Sequence, residues 1–202
     1  MIAVMAMSAL SMSAQDSKFA AGVNLDFIAG TGSYTTMGFG LKLQYKFTEN
    51  FRTELGYTYY LNKKFDGEWL GDTPKDGLWS INLNFAYLFN VSDKIKIGPM
   101  AGIGLNSTHM NDAAKGVYGD DAREAADLLG VAFNGEVKNT MALGFQVGVA
   151  SEYQVSDHFK LGLDLMYKHA QRDPKFADDL SWYKTGFKYN GFLASLTAAY
   201  CF

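Results

Sequence analysis

Large apolar residues recur at every second position through most of this chain, and their parity hardly changes. Odd-numbered sites carry Val23, Leu25 and Phe27, then Phe39, Leu41 and Leu43, then Leu55, Tyr57 and Tyr59. The series continues through Ile81, Leu83 and Phe85, Ile95 and Ile97, Phe145, Val147 and Val149, and Leu161, Leu163 and Leu165. A period of two belongs to strands, whose successive side chains point to opposite faces. The alternation predicts eight strands, over residues 18–30, 36–47, 51–62, 78–90, 94–106, 139–154, 158–169 and 187–202. In the last of these the apolar set moves to even numbers, so the preceding loop must absorb a change of parity.

Three joints between strands share one pattern: Phe47-Thr48-Glu49-Asn50-Phe51-Arg52, Val91-Ser92-Asp93-Lys94-Ile95-Lys96 and Val155-Ser156-Asp157-His158-Phe159-Lys160. Each runs from an apolar strand end through a short polar turn into an apolar strand start followed by a base, as tight hairpins do. The other joints are longer, at 63–77, 107–138 and 170–186, with a shorter one at 31–35. Short turns therefore collect at one end of the strands and long loops at the other.

Alternation does not say which face points inward; volume does. The interior of an eight-stranded barrel is just wide enough for side chains to fill or for one small ligand. It cannot hold all the Leu, Ile, Val and aromatic residues at the odd positions. Even positions instead carry polar residues and glycines such as Gly22, Gly38, Gly40, Gly56, Gly102 and Gly148. With the apolar face outward, the exposed surface far exceeds what a soluble monomer tolerates, so lipid must cover it. The expected fold is all-β, an eight-stranded antiparallel up-and-down transmembrane β-barrel, which also satisfies every backbone polar group without water. Aromatic residues are expected to form two interfacial girdles: Phe47, Phe51, Phe89, Tyr153 and Phe159 toward the short turns, and Tyr57, Tyr59, Trp79 and Tyr167 toward the long loops.

The chain ends on Phe202, preceded at alternate positions by Tyr200, Leu196 and Phe192. This resembles the C-terminal β-signal through which outer-membrane proteins reach the barrel-assembly machinery. Together with the turns, the chain from about residue 18 to 202 resembles the OmpA/OmpX-like eight-stranded outer-membrane β-barrel family, also described as porin family proteins. Its third external loop, at 107–138, is unusually long for the smallest members. The resemblance implies a cell outer membrane of Gram-negative type, both termini in the periplasm, and loops displayed outside for a possible extracellular partner.

Residues 1–14 form an apolar, small-residue stretch ending Ser11-Met12-Ser13-Ala14, read as a signal peptide, with the barrel domain over 15–202. The net charge of −3 with 19% charged residues argues against nucleic acid as a partner, which calls for a basic stripe. Cys201 is the only cysteine, so no internal disulfide forms.

Even-numbered charges supply the candidate chemistry. Asp26, Lys42, Glu54, Lys96, Glu152, Asp164 and Lys168 are expected to form an ionic network in the lumen, with Lys46, Arg52 and Lys160 at the same parity. Charges in so narrow an interior are costly unless paired, so a salt-bridged plug is the first reading. A narrow pore for ions or small solutes and a small-ligand site are the alternatives. His109, His158 and His169, with Ser107, Asp112, Asp173 and Asp178, show no catalytic spacing, so no catalytic residue, cofactor or metal site is assigned and the chain reads as non-enzymatic; a lipid-modifying or proteolytic enzyme is the remote alternative. Asp120 to Leu129, closed by Gly130, reads as a loop helix. Phe65 and Trp69 in the 63–77 joint are candidate partner-binding aromatics.

Overall fold

A computed structural model describes residues 18–30, 35–64, 75–130, 137–138, 141–172, 175–176, 187–188 and 190–202. Eight long strands form the barrel: β1 (Phe19–Gly30), β2 (Thr35–Lys46), β3 (Phe51–Lys64), β4 (Lys75–Tyr87), β5 (Ile95–Met110), β6 (Met141–Ser156), β7 (Phe159–His169) and β8 (Gly191–Cys201). Beyond Leu88, the pair Phe89–Asn90 continues β4 against β5. Every neighbouring pair is antiparallel, and β1 pairs with β8, so the sheet closes with no free edge. The expected fold is the one observed, with most strand ends within a few residues of where the alternation placed them.

The two sides of the sheet obey the parity rule. Val23, Leu41, Leu143 and Leu165 stand on the exposed outer face, while Asn24, Lys42, Gln146 and Asp164 are buried inside. On β8, Phe192 and Leu196 face out and Leu193 and Ser195 face in. The switch of parity therefore falls between β7 and β8, as expected.

Stagger sets the shape of the bore. Partners traced across the sheet run Ala20, Gln44, Glu54, Asn84, Gly102, Gln146, Lys168 and Gly191, and return to β1 at Gly30 rather than Ala20. With ~4.8 Å between strands and ~3.3 Å per residue, that stagger tilts the strands by about 40° and gives a backbone radius of about 8 Å.

Turn chemistry explains the short joints. In the β2–β3 turn, Thr48 Oγ1 accepts from the Asn50 and Phe51 amides at 3.3 and 3.0 Å, and Phe47 N donates to Phe51 O at 2.9 Å. Ser92 does the same before β5, accepting from Lys94 N and Ile95 N at 3.4 and 3.2 Å. The third repeat differs. A bulge between Gln154 and Ser156 leaves a tighter turn at Asp157-His158, braced by Gln154 Nε2 donating to Ser156 O at 2.6 Å.

The loop helix is longer than its sequence signals suggest. Helix α1 spans Asp112–Leu129, capped by Asn111, whose side chain accepts from Ala114 N, and ended by Gly130 in the left-handed region at φ 66°. Gly116 and Gly119 lie in its first half, and glycine weakens a helix interior. Packing overrides that penalty, because Ala114 and Ala126 are buried and α1 leans on the ends of β4 and β5.

Candidate functional site

The lumen is built in layers. Nearest the short turns, three carboxylates meet three bases. Lys42 Nζ lies 2.7 Å from Asp164 Oδ2 and 3.6 Å from Glu54 Oε1. Arg52 donates through Nη1 to Glu152 and sets Nη2 3.4 Å from Glu54 and 3.5 Å from Asp164. Lys160 Nζ donates to Glu152 Oε2 at 3.0 Å. Lys46, at the rim, reaches Glu152 at 3.9 Å. Neutral amides complete the shell: Gln44 and Asn84 donate to Glu54 at 3.1 and 3.0 Å, and Gln146 donates to Asn84 Oδ1. Opposite charges shared this way offset one another's desolvation, which an isolated buried charge could not do.

Asp26 anchors a second cage, whose donors among the described residues are all neutral. Its Oδ1 accepts from Asn24 Nδ2 at 2.7 Å and Ser195 Oγ at 2.6 Å, and its Oδ2 from Thr58 Oγ1 at 3.0 Å and Tyr60 OH at 3.1 Å. Tyr60 lies over Gly38, where a Cβ would fall 2.6 Å from the tyrosine ring. Only a bare glycine leaves space there for the phenol that reaches Asp26.

Toward the long loops the lumen turns apolar. Ile28, Tyr60, Leu78 and Leu193, from four strands, are 0–3% exposed and pack together across the bore. Beside this cap, Lys168 is 1% exposed, and its Nζ makes no hydrogen bond among the described residues. It sits 5.6 Å from the centroid of the Tyr60 ring, a cation–π contact.

Of the seven charges expected in the network, Lys42 links Glu54 and Asp164 directly and Glu152 joins them through Arg52, while Asp26 and Lys168 share Tyr60 between them. Lys96 does not join, which corrects the expectation. It pairs across the sheet with Glu152, but that carboxylate is already held by Arg52, Lys160 and Lys46. Lys96 Nζ turns to the rim and donates to Glu49 O at 2.9 Å. Arg52 and Lys160 carry as much of the network as the expected residues, and shared parity with an acid at the turn end was the signal for both. Ile28, Leu78 and Leu193 also had a signal: they are large apolar residues on the inward parity.

The girdle residues lie on the outer face. Phe47, Phe89, Tyr153 and Phe159 are exposed near the turns, where Phe47 and Phe51 meet at 5.6 Å between centroids. Toward the loops, Tyr57 lies 6.4 Å from Trp79, Tyr59 5.9 Å from Phe39, and Tyr167 5.8 Å from Phe192. At the chain end, Leu196 and Tyr200 face outward and Phe202 N donates to Phe19 O at 3.1 Å. Phe65, Trp69, Asp173 and Asp178 lie outside the described residues. His158 stacks on Tyr200 and His169 on Phe145, at opposite ends of β7, while Asp112 pairs with Lys115. Among the described residues no group of three or more His, Cys, Asp or Glu could hold a metal ion.

A family model described as outer membrane protein beta-barrel domain matches residues 1–199. No curated protein matches the chain. Among solved structures, Neisserial surface protein A is 18% identical, with a TM-score of 0.54 over 91% of this chain and 96% of that one. Escherichia coli outer membrane protein W is 17% identical, with a TM-score of 0.52 over 92% and 98%. Ail of Yersinia pestis, solved with the heparin analogue sucrose octasulfate, is 13% identical, with a TM-score of 0.50 over 92% and 97%. At these identities the likeness is one of fold.

Proposed function

The chain belongs to the outer membrane protein beta-barrel domain family, and from that premise we propose that it is a non-enzymatic, non-conducting barrel that holds its long loops rigidly at the cell surface. Both termini and the short turns face the periplasm in this reading, and the loops serve envelope integrity or contact an extracellular partner. The N-terminal 14 residues act as the export signal, and the terminal Phe192, Leu196, Tyr200 and Phe202 engage the assembly machinery.

The filled lumen carries the proposal. An apolar cap of Ile28, Tyr60, Leu78 and Leu193 lies over a charge-matched core of Lys42, Arg52, Glu54, Glu152, Lys160 and Asp164, all but fully buried. Ions crossing such a lumen would have to shed water beside apolar groups and break paired charges. The bore thus acts as a mechanical core that stiffens the barrel beneath its loops. Planar-bilayer recording tests this directly. The refolded protein should give no discrete openings; steady conductance that changes on Asp164→Asn or Lys42→Ala would instead establish the narrow-pore reading.

A further inference from the structure

The outer wall carries a groove of about 870 Å³ that the lumen-based reading does not use. Its lower edge is the row Leu161, Ala198, Val23, Leu41 and Tyr57, and its upper edge the row Leu196, Leu25, Phe39 and Tyr59. Members of each row are direct cross-strand partners, so the groove runs at right angles to the strands from β7 through β8, β1 and β2 to β3. Its floor is backbone at Gly162, Thr197, Asn24 and Gly40. Ala198 is the one small side chain in either edge, and it notches the lower row between Leu161 and Val23.

We propose that this groove holds a single acyl chain of a membrane lipid from the loop-side leaflet. Three observations commit it to that occupant. First, the groove lies in the apolar face of the transmembrane wall, where hydrocarbon is the medium. Second, the stagger that tilts the strands also makes this row climb toward the loops as it passes from β7 to β3. Four strand spacings of ~4.8 Å give a path of about 19 Å that rises about 12 Å, within the roughly 15 Å depth of one leaflet. Third, the climbing end finishes at Tyr57 and Tyr59, with Trp79 6.4 Å from Tyr57 between ring centroids. Amphipathic rings of this kind belong at headgroup level. A lipid can therefore place its head beside these rings and lay its chain down the groove, its methyl end reaching Ala198 and Leu161.

This inference rests on the membrane reading, and its test separates the two. Heat-modifiable electrophoretic mobility in detergent reports whether the barrel has formed. Native mass spectrometry of the folded protein with added palmitoyl-oleoyl phosphatidylglycerol should then show one retained lipid. Ala198→Phe closes the notch and should lower that occupancy about tenfold, with Ala198→Leu intermediate. Ala101→Phe, on the outer face of β5, should leave it unchanged. In vesicles, phospholipid brominated near the chain end should quench a Leu161→Trp reporter more strongly than an Ile103→Trp reporter. Equal occupancy in Ala198→Phe and the parent, or equal quenching at both reporters, overturns the proposal while leaving the barrel intact. A detergent-stable dimer that Ala198→Phe dissociates, with no lipid retained, assigns the groove to a second copy and likewise overturns it.

Discussion

Replacing Arg52 by methionine tests whether the lumen is a dry, charge-matched plug. In the parent, Glu54, Glu152 and Asp164 face Lys42, Arg52 and Lys160, three charges of each sign. Arg52 touches all three carboxylates, and it and they are nearly or wholly excluded from solvent. Arg52→Met leaves three carboxylates against two buried ammoniums, and stranding a buried charge in this way costs about 3–5 kcal/mol. Glu152→Gln should destabilise by a similar amount, because it takes from Lys160 its buried carboxylate and leaves Arg52 only its longer contacts to Glu54 and Asp164. The double variant restores two against two, Lys42 and Lys160 against Glu54 and Asp164. Its loss should fall short of the sum of the single losses by at least about 2 kcal/mol, well outside the ~0.5 kcal/mol scatter of independent sites. Reversible urea unfolding from lipid vesicles, followed by tryptophan fluorescence and gel mobility, measures all three. Raising KCl from 0.1 to 1 M should leave the coupling nearly intact, since salt screens buried pairs poorly. A loss below about 1 kcal/mol for Arg52→Met, or additive single losses that shrink with salt, would mean that water fills the lumen and solvates its charges. The plug would then be refuted.

Three further outcomes follow from the same geometry. Gly148→Ala should destabilise by about 1–3 kcal/mol, because its new Cβ would lie 2.6 Å from Met166 Cα, whereas at Gly162 the nearest atom is Ser151 O at 3.4 Å, so Gly162→Ala should be neutral or gain about 0.5 kcal/mol in the same urea assay. Lys168→Met removes a buried ammonium that makes no hydrogen bond among the described residues, so stability should hold or rise by up to about 2 kcal/mol; a loss above about 1 kcal/mol would show that the ammonium is well solvated or paired. Gly130→Ala should fray the end of α1 at a cost of about 1 kcal/mol, because a Cβ disfavours its φ of 66°; faster amide exchange over residues 124–130 with unchanged barrel amides would register it.

The alternation alone determined the strands, the division of their residues between two faces and the parity switch before β8, because a pleated strand writes its two faces into every second residue, whereas volume decided which face points outward. Location in a membrane followed from volume, since the odd-position residues outsize any eight-stranded interior. What alternation could not supply was which inward residues meet. Arg52 and Glu152 stand on β3 and β6, and Lys42 and Asp164 on β2 and β7, so their contacts span the bore rather than neighbouring strands. Those contacts depend on the stagger with which the closed sheet returns from Ala20 to Gly30, a global property that no local pattern encodes. Lys96 shows the limit: its parity points inward beside Glu152, yet competition for one carboxylate sends it to the rim. Closure likewise assembled the cap of Ile28, Tyr60, Leu78 and Leu193, apolar residues that stand at inward-facing positions of four different strands.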